Sequence, residues 1–169
     1  MLNIKLVITD IDGVWTDGGM YYDNAGNEFK KFNTSDSAGV KFLEINKIPL
    51  AIITGEKTNI VSRRAEKLNI KYIKQGSKDK LSDAMNLMNE LNVLPGETAY
   101  IGDDIIDIKL LKSVGFSGCP NNSPTYIKNI CKWVGKKNGG EGAFREFVEY
   151  ILNENKLLEK TINNLYKIK

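Results

Sequence analysis

The sequence predicts a three-layer α/β domain in which helices cover both faces of a doubly wound, parallel sheet. Short apolar runs of strand length alternate along the chain with longer segments of helical period. Such alternation implies parallel pairing through right-handed crossovers. No repeat, low-complexity segment or linker divides the 169 residues, so we expect one domain over 1–169. A chain of this length buries roughly two thirds of its unfolded surface.

The first strand is predicted at the apolar run from Ile4 to Thr9, which stops at Asp10, Asp12 and Gly13. A buried parallel strand would bring both acids to the carboxyl edge of the sheet, where open α/β sheets bind ligands. Residues i and i+2 of a strand share a face, so the two carboxylates can act together if the extended backbone continues that far. Asp and Gly also favour turns, and this stretch alone leaves a surface turn equally open.

A β-hairpin inserted over about residues 17–33 is the next predicted element. Two short runs, 20–22 and 29–32, flank the turn-rich segment 23–27.

Strand and helix signals then alternate to the end of the chain. Residues 33–39 supply N-caps for a helix that ends near Asn46. Strands are predicted at 49–53, 71–73, 98–101, 116–119 and 133–134, and helices at 60–68, 81–91, 108–114 and 143–152, with a short helix after 124. The lysine-rich tail 154–169 carries apolar residues at helical spacing and is compatible with either a packed helix or a frayed one.

Composition excludes several classes of function. The net charge of +3 is small and the basic residues are dispersed, which favours a small anionic substrate over nucleic acid. Cys119 and Cys131 lack the spacing of a disulfide framework or a thiolate zinc site. No signal-like or membrane-length apolar run is present, so we expect a cytoplasmic protein without membrane contact. Because there is no histidine, catalysis would depend on carboxylates, lysines, hydroxyls and an oxygen-ligated metal.

Polar residues follow four of the predicted strands and should meet at one edge of the sheet. They are Asp10 and Asp12, Thr54 and Gly55, Lys80, and Asp103, Asp104 and Asp107. Paired carboxylates repel by about 4 kcal/mol at 4 Å and an effective dielectric near 20, and Mg²⁺ would relieve that cost. Thr54 and Lys80 suit phosphoryl oxygens. We therefore predict phosphoryl transfer, with Asp10 forming an aspartyl-phosphate and Asp12 acting as general acid and base.

These motifs, in this order, resemble those of the haloacid dehalogenase superfamily of phosphohydrolases. The resemblance covers about residues 4–152 and implies a Rossmann-like fold, here with the hairpin and without a cap domain. It implies that Asp10 is nucleophile and metal ligand, that Asp12 is acid/base with its carbonyl on the metal, and that Asp103 is the third ligand. Thr54, Gly55 and Lys80 would hold phosphate. Asp104 and Asp107 are expected behind these ligands, where they equally suit the N-terminal end of a helix dipole.

Within the superfamily, Thr16-Asp17-Gly18 and the Gly139–Glu146 segment are similar to the 3-deoxy-octulosonate 8-phosphate phosphatase group. That group is tetrameric, with hairpins at the centre and a neighbouring subunit helping to close each site. Its members usually carry arginine where this chain has Ser35, Glu56 and Glu141. The segments Thr54–Thr58 and Arg63–Lys67 instead resemble those of related phosphatases that act on 2-keto-3-deoxy-nonulosonate 9-phosphates. The substrate contacts implied by this resemblance are Thr34, Ser35, Glu56, Lys57, Thr58, Arg64 and Lys67.

Three functions remain open from sequence. The first is a Mg²⁺-dependent phosphatase of a nonulosonate 9-phosphate, a sugar of capsule or lipopolysaccharide synthesis, for which kcat/KM should exceed that for the octulosonate 8-phosphate. The second is the octulosonate 8-phosphate enzyme. The third is a non-catalytic tetramerising module like those fused to acylneuraminate cytidylyltransferases. Arg64 and Lys67 are equally compatible with ordinary surface charges, and Thr54 alone with a helix cap.

Overall fold

A computed structural model describes residues 1–166 of the chain. Its strands are β1 (Leu6–Thr9), β2 (Tyr21–Tyr22), β3 (Glu28–Phe29), β4 (Leu50–Ile53), β5 (Tyr72–Lys74), β6 (Thr98–Ile101), β7 (Phe116–Cys119) and β8 (Trp133–Val134). Six of them form one sheet in the order β5-β4-β1-β6-β7-β8, and every pair in it is parallel. The predicted doubly wound parallel sheet is confirmed.

Helices connect the strands as the alternation predicts. They are α1 (Asp36–Ile45), α2 (Asn59–Lys67), α3 (Lys80–Leu91), α4 (Ile108–Ser113), α5 (Thr125–Lys128), α6 (Ala143–Glu154) and α7 (Leu158–Tyr166), with 3-10 turns at Pro95–Glu97 and Ile105–Asp107. Among residues 1–166, no helix combines the length and the apolar character that crossing a bilayer requires.

Alternate residues of β1 bury into two separate cores, one on each face of the sheet. Val7 packs in the core that holds α1, α2 and α6, whereas Leu6 and Ile8 pack in the core that holds α3 and α4. Trp15 belongs to the first core, since it is fully buried and its ring stacks 4.5 Å from that of Phe144. The period of two along a buried strand produces this division.

The hairpin forms where it is predicted. Tyr21 pairs with Phe29 and Tyr22 with Glu28 in an antiparallel ladder, and a bridge between Thr16 and Phe32 closes the base.

The tail forms the packed alternative over α7. Thr161 is buried, and the Asn46 side-chain amide donates to its hydroxyl at 2.8 Å. Leu158 and Ile162 pack against the core beneath α1 and α6. Residues 167–169 of the predicted tail lie outside the described residues. We propose on this packing that the tail belongs to the same domain as the sheet.

Candidate active site

The polar motifs converge at the carboxyl ends of β1, β4 and β6. After β1 the chain builds β4 and β5 on one side, and it then returns to place β6 on the other side of β1. This reversal opens a crevice at the strand ends, which is the usual ligand position in such sheets. Asp10 extends β1 by one further hydrogen bond, from its backbone N–H to the Ile101 carbonyl at 3.0 Å.

Three carboxylates and one lysine form the centre of this crevice. Lys80 Nζ lies 2.6 Å from Asp10 Oδ2 and 2.6 Å from Asp107 Oδ1. One oxygen from each of Asp10, Asp103 and Asp107 lies within 4.8 Å of the other two. Lys80 reaches them because α3 begins at this residue, and its side chain is 2% exposed. The predicted meeting of Asp10, Lys80 and Asp103 is therefore present.

Burial and mutual repulsion disfavour the charged forms of the carboxylates in this cluster. Desolvation raises the pKa of Asp10 to about 7, against the opposing Lys80 ammonium and with a further rise from Asp107. Desolvation, followed by the charges of Asp10 and Asp107, raises the pKa of Asp103 to about 8. Burial lowers the pKa of Lys80, but its two carboxylate partners outweigh burial and the net shift is upward. A divalent cation beside these carboxylates would stabilise their charged forms.

The donor set fits Mg²⁺. Asp103 Oδ1 is buried and accepts no hydrogen bond from the described residues. Its neighbours in the cluster are carboxylate oxygens, and hard oxygen donors in small number suit an ion that keeps waters and binds phosphate.

Asp107 lies in the cluster itself, whereas the sequence places it behind the ligands. Its carboxylate accepts from Lys80, from the Tyr100 hydroxyl at 2.6 Å and from the backbone N–H groups of Asp103 and Asp104 at 2.9 and 3.1 Å. Asp107 thus fixes the loop that carries Asp103. Asp104 is exposed and instead accepts from the Ile105 N–H at 2.6 Å, capping the 3-10 turn.

Asp12 does not share the environment of Asp10. The hydrogen bonding of β1 ends with Asp10, and the chain turns from Ile11 onwards. The Asp12 carboxylate therefore contacts Lys30, a hairpin residue that the sequence gives no reason to select. Lys30 also contacts Glu56 at 2.7 Å.

The glycine-rich segment before α6 braces the turn that carries Asp12. A Cβ at Gly139 would lie 1.8 Å from the Gly13 carbonyl oxygen, and one at Gly140 would lie 2.6 Å from the Asp17 nitrogen. The Gly140 N–H donates to the Val14 carbonyl at 3.1 Å. From sequence this segment is recognised only through its similarity to the family motif. Its physical role is close backbone approach.

The predicted phosphate-binding and substrate-binding residues are only partly brought together. Thr54 is buried at the end of β4, with Gly55 beside it. Thr58 caps α2, because its hydroxyl accepts from the Ile60 N–H at 3.3 Å. Thr34, Lys57 and Lys67 are exposed.

Arg64 and Ser35 are engaged within their own chain. Arg64 Nη2 donates to the Asn33 carbonyl at 3.3 Å and to the Ser37 hydroxyl at 3.0 Å, and its guanidinium lies over the Phe32 ring. Ser35 Oγ and Arg64 Nε are buried without a partner among the described residues. Ser35 faces the glycine-rich segment, since a Cβ at Gly142 would lie 2.6 Å from its hydroxyl.

Fold and site together define a metal-dependent α/β phosphohydrolase. Residues 55–147 match the family described as haloacid dehalogenase-like hydrolase. The chain belongs to this family, and it is a phosphoric monoester hydrolase with Mg²⁺ as its cofactor. The enzymatic alternatives are therefore supported over the non-catalytic tetramerising module.

The chain is similar to several proteins named as octulosonate phosphatases. It is 40% identical over 150 residues to the 3-deoxy-D-manno-octulosonate 8-phosphate phosphatase KdsC of Haemophilus influenzae, covering 89% of this chain and 83% of the relative. The Moraxella catarrhalis octulosonate phosphatase, solved with magnesium ion, phosphate ion and KDO, superposes with a TM-score of 0.93 at 36% identity, covering 97% and 94%. The Yersinia pestis enzyme gives a TM-score of 0.91 at 38% identity, covering 94% and 85%.

Proposed function

We propose that the chain hydrolyses the phosphate monoester of a 2-keto-3-deoxy sugar acid, with 3-deoxy-D-manno-octulosonate 8-phosphate as the first candidate. The observation that carries the proposal is the buried cluster of Asp10, Lys80, Asp103 and Asp107 in a chain 40% identical to a protein of that activity. From sequence this substrate is the second candidate, and the names of the relatives support it over the nonulosonate 9-phosphate.

We propose that Asp10 is the nucleophile. The Ile11 N–H donates to Asp10 Oδ1 at 2.8 Å and Lys80 holds Oδ2, so the carboxylate has a fixed orientation at the crevice. A carboxylate oxygen of Asp10 forms the bond to phosphorus as the ester P–O bond breaks, giving an aspartyl-phosphate. Asp10 and Asp103, with the Asp12 carbonyl that the family resemblance implies, would hold Mg²⁺, which would neutralise negative charge on the phosphoryl oxygens.

We propose that Asp12 is the general acid and base. In the first step its carboxyl group gives a proton to the departing alkoxide, and in the second it takes one from the water that cleaves the aspartyl-phosphate. Lys80 stays beside Asp10 and balances charge that gathers on the phosphoryl group.

A nonulosonate 9-phosphate is the second candidate, and Glu56 is the observation that favours it. An arginine is expected here in octulosonate phosphatases, whereas Glu56 presents an acid to the crevice, where it pairs with Lys30 at 2.7 Å. A carboxylate can accept hydrogen bonds from the hydroxyls or the amine of a longer sugar. Arg64 and Lys67 would then hold the sugar carboxylate, from the same subunit or a neighbouring one.

Steady-state phosphate release from the two sugar phosphates, with purified protein and Mg²⁺, distinguishes these candidates. We expect kcat/KM for the octulosonate 8-phosphate to be at least about tenfold higher, which is the discrimination that one or two pocket contacts provide. The inverse ratio would move the assignment to the nine-carbon acid. If the protein hydrolyses neither sugar phosphate but still cleaves p-nitrophenyl phosphate, the assignment as a phosphatase would stand and the sugar-acid substrate class would be wrong.

We also propose that the chain forms a homotetramer through its hairpins. Met20, Tyr21, Tyr22 and Phe29 leave between 42% and 66% of their surface exposed on this small element. Such an apolar patch is typical of an interaction surface.

Light scattering after gel filtration tests this assembly. The wild-type chain should elute with the mass of four chains, and Tyr22→Glu combined with Phe29→Lys should reduce that mass because charges enter the buried contact. Tyr126→Glu is the control, since Tyr126 is 52% exposed on α5 and should not affect assembly. A wild-type monomer would contradict the proposal.

A further inference from the structure

Lys30 is a buried cation at the edge of the crevice. Its side chain is 1% exposed although it follows an exposed two-residue strand, β3. Three carboxylates face the ammonium, from Asp12, from Glu56 at 2.7 Å and from Glu28 at 3.8 Å.

The contact with Lys30 gives the two carboxylate oxygens of Asp12 different environments. Oδ1 accepts from Lys30 Nζ, and the Thr16 hydroxyl lies 3.5 Å from the same oxygen. Oδ2 is buried and has no hydrogen-bond partner among the described residues. One oxygen of the acid is therefore anchored, while the other stays available to a reacting group.

Two lysines separate the acids of the site into two sets. Lys80 contacts Asp10 and Asp107, and Lys30 contacts Asp12 and Glu56. The two sets approach the crevice from different elements, since Lys80 begins α3 and Lys30 follows the hairpin strand β3. A fixed proton donor must keep its geometry while the substrate enters, and a second ammonium gives Asp12 an anchor that Lys80 does not provide.

We propose that Lys30 is a positioning residue that anchors one oxygen of Asp12, so that the other delivers the proton to the leaving alkoxide. The inference rests on the proposed role of Asp12 in the reaction. Glu56 contacts the same ammonium at 2.7 Å, so Lys30 links Asp12 to a residue that the family resemblance assigns to substrate binding.

A series of phosphate monoesters with graded leaving groups tests the proposal. The measured quantity is kcat/KM, which covers the steps up to release of the alcohol. For Lys30→Met we expect a loss of about 100-fold on an alkyl phosphate, which needs a proton from Asp12, and a loss under about threefold on p-nitrophenyl phosphate, whose phenolate leaves unprotonated. Lys30→Arg, which keeps the cation, should recover at least about tenfold of the alkyl phosphate loss.

Lys31→Met is the matched control, because Lys31 is the adjacent lysine, has a side chain 66% exposed and pairs only loosely with Asp17 at 3.6 Å. It should leave the dependence on the leaving group as in the wild type. Equal losses on both esters in Lys30→Met, or no recovery in Lys30→Arg, would overturn the positioning role. Because simple alkyl phosphates are used, an incorrect assignment of the sugar acid would leave this test intact.

Discussion

Asp10→Asn is expected to reduce Mg²⁺-dependent phosphate release by about 10⁴-fold or more, since an amide cannot form the aspartyl-phosphate. The substitution is nearly isosteric in a residue that is 4% exposed, and Asn can still accept the hydrogen bond from the Ile11 N–H at 2.8 Å. The loss should therefore be chemical. Release of inorganic phosphate at saturating Mg²⁺ measures it directly.

The matched control is Asp79→Asn, the same change one residue before Lys80. Asp79 is exposed and caps α3 by accepting from the Ser82 N–H at 3.2 Å, and Asn caps a helix equally well. Activity should stay within about threefold of the wild type. Activity retained by Asp10→Asn would exclude Asp10 as the nucleophile.

Gly13→Ala should reduce activity by about 100-fold or more by displacing Asp103, because misplacement of a site group by 1 Å has effects of this size. A Cβ at residue 13 would lie 1.9 Å from Asp103 Oδ2, and the backbone there has φ +80°, a left-handed conformation that costs alanine about 1–2 kcal/mol. Higher Mg²⁺ concentration should recover part of the activity if the displaced group is a metal ligand. Titration of activity with Mg²⁺ tests both statements.

Gly26→Ala separates backbone strain from this steric contact. Gly26 has φ +84°, but no atom lies within 4 Å of the Cβ position, so only the conformational cost applies. Its free energy of unfolding should fall by about 1 kcal/mol with activity nearly unchanged. Equal activity in both variants would show that Asp103 does not depend on Gly13.

The sequence predicts the sheet and most of the site because both depend on local pattern. Buried parallel strands give apolar runs, and polar residues at their carboxyl ends meet at one edge whatever the details of packing. Asp10, Thr54, Lys80 and Asp103 follow from that rule. The Tyr21–Phe29 hairpin follows from its turn-rich centre. Whether α7 is packed or frayed cannot be predicted from sequence pattern, because it depends on contacts with α1.

The fold class, the phosphoryl-transfer chemistry and the Mg²⁺ requirement can all be predicted from the amino-acid sequence, because each depends on where the polar motifs lie relative to the strands. The pairing of each acid with its cation becomes visible only in the folded chain. Strand periodicity allows Asp10 and Asp12 to share a face, but the backbone turns after Asp10, which leaves Asp10 with Lys80 and brings Asp12 to Lys30. Lys30 is one of 24 basic residues and belongs to no motif. Its contact with Asp12 spans 18 positions of the chain, a separation that only folding closes.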